Sequence, residues 1–160
     1  MRLKASQYYL LRRVRFSVWL LVIVILLLSF ISSFQDVENE ASDSAFLVAS
    51  KRIIERASFY KQKWLLAGQP PRLELDEKVL AISQNGWVLP IQNENSVDCD
   101  YWLGVLYPEK RVLESMPAKV GDLSKGDTHY RCDYDYGDNR HLVIDLNNKQ
   151  FSAKVVFVAE

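Results

Sequence analysis

Phe16-Ser-Val-Trp-Leu-Leu-Val-Ile-Val-Ile-Leu-Leu-Leu-Ser-Phe-Ile-Ser-Ser-Phe34 holds nineteen residues without a charge, a proline or a glycine. As a helix rising ~1.5 Å per residue it covers about 28 Å, close to the ~30 Å hydrocarbon core of a bilayer. A helix satisfies its own backbone in lipid. The rest of the chain is too short and too charged to bury such a segment in a soluble core. The stretch therefore reads as a transmembrane helix over residues 16–34, in contact with the lipid bilayer. A cleaved secretory signal would have a shorter apolar run and a small-residue cleavage site. Ile31-Ser32-Ser33-Phe34-Gln35 offers none, so an uncleaved anchor is expected.

The flanks orient the span. The chain carries 20 basic and 20 acidic residues, but unevenly. Arg2, Lys4, Arg12, Arg13 and Arg15 precede Phe16 with no acid among them, whereas Asp36, Glu38, Glu40 and Asp43 all come before Lys51. The positive-inside bias predicts a cytoplasmic basic segment at 1–15 and an exported domain at 35–160. Both cysteines, Cys99 and Cys132, fall on the exported side. In an oxidising compartment the default is a disulfide between them, with two buried thiols as the alternative. No cysteine stands at zinc-ligand spacing from His129 or His141.

Beyond the polar Gln35–Ser44 stretch a helical pattern begins. Phe46, Ala49, Ile53, Ala57, Tyr60 and Trp64 recur at spacings of three and four to form one apolar stripe. Lys51, Arg52, Glu55, Arg56, Lys61, Gln62 and Lys63 supply a polar surface. Gly68 followed by Pro70 and Pro71 ends the pattern. Ser42, Asp43 or Ser44 could cap a separate helix, but one continuous helix from Arg15 to Ala67 is favoured. Leu47, Ile54 and Leu65 lie about a quarter turn from the stripe. They form a narrower apolar ridge, either a docking surface for a partner helix or the margin of a wide buried face.

Past Leu73 the period shortens. Lys78–Ser83 and Trp87–Leu89 read as two strands around an Asn85-Gly86 turn, with Pro90 limiting the second. Cys99–Leu106 reads as a short helix in preference to a strand, and 108–125 as loop. Strands are expected at His129–Tyr136, Arg140–Leu146 and Phe151–Val158, in an antiparallel meander. The fold class is α+β: a long N-terminal helix, membrane-spanning and then amphipathic, packed on an antiparallel β-sheet.

Residues able to carry chemistry are few. Asp98, Asp100, Asp133, Asp135 and Asp138 would gather near the disulfide and could hold Ca²⁺, although Asp133 and Asp135 alternate with tyrosines as on the exposed face of a strand. No metal, cofactor or catalytic residue is assigned. There is no nucleophile elbow and no phosphate loop. The acidic exported domain argues against nucleic acid.

The order of features carries a resemblance. Arg52-Ile53-Ile54-Glu55-Arg56 to Trp64, Asn85-Gly86-Trp87-Val88-Leu89-Pro90, Cys99 to Trp102, and Tyr130-Arg131-Cys132-Asp133-Tyr134-Asp135-Tyr136 resemble the type IV pilin-like proteins. More narrowly they resemble the MshF family, biogenesis proteins of the mannose-sensitive haemagglutinin (MSHA) pilus of marine Gram-negative bacteria. The resemblance implies a pilin-like fold, inner-membrane anchoring with the C-terminal domain in the periplasm, no enzymatic activity and no small-molecule substrate. The implied partners are other pilus-assembly or pilin-like proteins. The chain departs from true pilins in having no Gly before Phe16, and Leu20 where their buried Glu would fall. This implies an accessory component in preference to a major subunit. A membrane-tethered periplasmic binding module or enzyme is the alternative.

Overall fold

The structure is a computed structural model and describes residues 3–75, 78–92, 96–126 and 128–158, with backbone alone over 3–12 and 33–40. Arg2, one of the five basic residues ahead of the span, lies outside the described residues. Helix α1, Leu3–Leu66, is uninterrupted, so Ser42–Ser44 cap no separate helix. The chain divides into two compact units, Met1–Ser42 and Asp43–Glu160, each described by itself.

In the first unit Arg13–Ser32 is a helix of 20 residues, long and apolar enough to cross a membrane and buried nowhere. Its side chains, Phe16, Trp19 and Leu20 to Leu28 among them, are exposed from every face. Helices apolar all round belong in lipid or in a protein core.

In the second unit the helix changes character. All six stripe residues are buried, Ile53 completely. The helix closes with a Schellman arrangement: the Gly68 N–H donates to the Leu65 carbonyl and the Gln69 N–H to that of Trp64. Gly68 sits at φ +83°, a left-handed conformation that glycine adopts without strain.

The stripe covers a four-stranded antiparallel sheet ordered β3-β4-β5-β6, from Lys119–Asp122, His129–Asp135, Arg140–Asn147 and Gln150–Phe157. Tyr130, Cys132, Tyr134 and Tyr136 on one side, and Leu142, Ile144, Leu146 and Ala153 beside them, form the buried face. The three long strands of the meander fall where the alternation puts them. β3 was expected to be loop. Only four residues long and containing Gly121, it has little strand character of its own and forms by pairing with β4.

The short helix α2, Cys99–Leu106, begins at Asp98, whose carboxylate accepts the Tyr101 N–H at 2.8 Å. Trp102, Leu103, Val105 and Leu106 bury its core side. Cys99 and Cys132 form a disulfide that ties α2 to β4, with Cα atoms 5.6 Å apart.

The expected hairpin around Asn85-Gly86 is altered. The turn exists, with the Gly86 N–H bonded to the Ser83 carbonyl and one bridge between Ile82 and Val88. The hairpin is short: the Ser83 N–H donates to the Trp87 carbonyl and the Leu89 N–H to that of Ala81, while the longer ladder of β2, Lys78–Ala81, is with β1, Arg72–Leu75. Pro90, lacking an N–H, ends the second arm after Leu89. Leu73 and Leu80 face each other and are buried, which fixes the β1–β2 register.

Candidate docking site

Two flanks of α1 border the sheet-covering stripe. On one lie the ridge residues Leu47, Ile54 and Leu65, at 50%, 39% and 50% exposure. Ile53, their neighbour in sequence, has none. A step of ~100° per residue separates a core position from a surface one here. Leu47 and Ile54 share a face at seven-residue spacing, and Leu65 follows three turns on.

The other flank carries Val48, Phe59 and Leu66, also exposed, at eleven- and seven-residue spacing. The same periodicity argument, applied on the other side of the stripe, would have found them. Val48 and Phe59 border an open groove between α1 and the segment after α2. One depression of about 680 Å³ is lined by Val48, Ala49, Arg52 and Tyr107, among others. The next, of about 610 Å³, shares Arg52, Tyr107 and Glu109 with it and runs on past Arg56 to Phe59.

The aspartates do not gather. Asp98 caps α2, Asp100 pairs with Lys110, and an Asp133 carboxylate oxygen lies 2.9 Å from His141 Nδ1. Asp135 accepts the Gly137 N–H, and Asp138 lies 3.5 Å from Arg140. Each is engaged locally because cap, turn and cross-strand positions place them on different surfaces. Among the described residues no three His, Cys, Asp or Glu side chains are grouped to hold a metal ion. His129 and Asp145 form a second cross-strand pair at 3.2 Å.

The tyrosines show the strongest electrostatic effect. Burial pushes the Tyr134 hydroxyl well above its ordinary value, and Asp100 nearby adds to this. Burial likewise raises Tyr136, with Tyr107 contributing. Both stay neutral donors: Tyr134 to the Cys99 carbonyl at 2.7 Å, Tyr136 to that of Lys110 at 2.9 Å. They brace α2 and its following turn against β4 and line neither depression of the groove.

No protein family, no curated protein and no solved structure matches this chain. The class the fold defines is an α+β protein with an N-terminal helix fit to cross a membrane and an antiparallel sheet. Its candidate site is the pair of apolar flanks on α1.

Proposed function

We propose that this is a single-pass inner-membrane protein of the pilin-like type, anchored by α1 with its C-terminal domain in the periplasm. It acts without catalysis, by protein–protein contact, as an accessory or minor subunit in assembly of an MSHA-type type IV pilus. The observation that carries this reading is the division of labour along α1: apolar all round over Arg13–Ser32, then one buried stripe with an exposed apolar ridge beside it. A helix that leaves lipid and keeps large apolar side chains in water needs a protein to cover them. The disulfide fits an oxidising compartment. The local pairing of the aspartates and histidines supports a structural role for them.

The alternative, a membrane-tethered periplasmic binding module, draws on the groove along Val48, Arg52 and Phe59. A photo-crosslinker placed at Leu47 and, separately, at Val48 of the full chain in its own cells tests both. Adducts with pilus-assembly proteins from Leu47 support the pilus reading. Adducts confined to Val48 and containing no pilus component would refute it.

A further inference from the structure

β6 is an edge, and the ladder shows which of its backbone groups are unused. The Val158 N–H donates to the Asn139 carbonyl, so the pairs bonded to β5 are Val156–His141, Lys154–Val143, Ser152–Asp145 and Gln150–Asn147. Adjacent residues in an antiparallel ladder alternate. The N–H and C=O groups of Phe151, Ala153, Val155 and Phe157 therefore point away from the sheet, and among the described residues nothing bonds to them.

One row of α1 is tied at both ends to the hairpin that carries this edge. Asp43, Leu47, Ser50, Ile54 and Lys61 form one row on the helix, at spacings of four, three, four and seven. Both ends of the row are fixed to the last hairpin. Asp43 accepts from Arg140 Nε at 3.1 Å, and Arg140 lies across from Phe157 in β6. The Lys61 ammonium stands 4.2 Å over Trp87, whose ring is stacked on Phe151 at the other end of β6. Leu47 and Ile54 lie on this row between the two anchors, half-exposed. The groove and α2 occupy the opposite flank, where Tyr60 donates to the Val105 carbonyl.

We propose that β6 is a docking edge, where an extended segment of a partner chain adds as a further strand. Its apolar side chains would lie against Leu47, Ile54 and Phe157, and an acidic side chain would face Lys154. The unused N–H and C=O row specifies an extended backbone. The half-exposed ridge demands apolar residues at alternate positions of the partner, which would otherwise leave Leu47 and Ile54 in water. Lys154, the one charged residue of β6, sits exposed on the outer face and selects for an acid beside it. A second copy of this chain fits poorly. Antiparallel self-pairing that uses all four open positions turns about residue 154 and sets Lys154 against its twin, a like-charge contact of the kind that protects edges. This inference rests on the reading of the ridge as a docking surface and names what docks there.

The test uses the purified full chain in lipid nanodiscs and two fluorescent peptides, Val-Ser-Val-Glu-Val-Ser-Val and its central-Lys counterpart, followed by anisotropy. The Glu peptide should bind about tenfold more tightly than the Lys peptide. Lys154→Glu should reverse that preference. Val155→Pro, which removes an N–H pointing away from β5, should abolish binding while the β5–β6 ladder and the disulfide persist. Ile54→Glu should weaken binding severalfold. Equal affinities, binding untouched by Val155→Pro, or no saturation below about 1 mM would overturn the proposal, as would a β6–β6 cross-link between two copies. If Val155→Pro fails to fold, the Lys154→Glu reversal decides alone. Binding of the expected pattern with no pilus component in the Leu47 adducts would sink the pilus reading and leave the edge standing. The converse result would do the opposite.

Discussion

Tyr134 shows how one buried hydroxyl serves two elements. Its O–H reaches the Cys99 carbonyl at the start of α2, beside the disulfide from β4. Tyr134→Phe removes one of the hydrogen bonds to that carbonyl and should cost about 0.5–1.5 kcal/mol in denaturant unfolding. The raised pKa also sets an alkaline limit. Below the unfolded-state value of 10.0 both states hold the proton, and the contribution of Tyr134 and Tyr136 is complete. Above it the unfolded chain releases protons that the folded chain keeps, so stability should fall as pH rises beyond about 10. Tyr134→Phe should flatten that fall, as read from urea midpoints across an alkaline series. Reducing the disulfide at neutral pH should cost about 2–5 kcal/mol by the same measurement.

At the scale of elements, adjacent positions on α1 have opposite fates. Ile53→Ala opens a cavity in the core and should cost about 2–5 kcal/mol, whereas Ile54→Ala should stay within about 0.5 kcal/mol. Thermal unfolding of the two variants measures the difference. Gly86→Ala should be destabilising as well. Its φ is +83°, and the new methyl would stand 2.5 Å from a Trp64 ring carbon. The stripe, the three long strands and the pairing of Cys99 with Cys132 were legible because period, turn residues and compartment each point one way. β1 and β3 were not. Arg72-Leu73-Glu74-Leu75 has too few residues to outweigh the stronger Asn-Gly signal, and β3 is a strand because β4 offers it an edge. The aspartate cluster failed for a related reason: residues near a disulfide in sequence are sent to caps, turns and strand faces by local geometry. The ridge could be named from spacing alone. The open edge of β6 required the register, since a one-residue slip would exchange the used and unused backbone groups.

At the scale of the whole molecule, an apolar helix leaves its side chains uncovered, and the domain that follows leaves apolar residues on both flanks of α1 and the β6 edge uncovered. The charge asymmetry predicts an orientation. A reporter active only in the periplasm should work when fused after Phe157 and fail when fused at Arg13, and the opposite pattern would reverse the topology. The central claim is that the ridge flank meets a partner, and Ile54→Glu in the full chain tests it most directly. A glutamate at this half-exposed position should leave the domain folded and disulfide-bonded, while pilus-assembly proteins no longer co-purify from detergent-solubilised membranes and piliation is lost. A folded Ile54→Glu protein with undiminished co-purification and normal pili would contradict the account, and an unfolded one would show that the ridge belongs to the core.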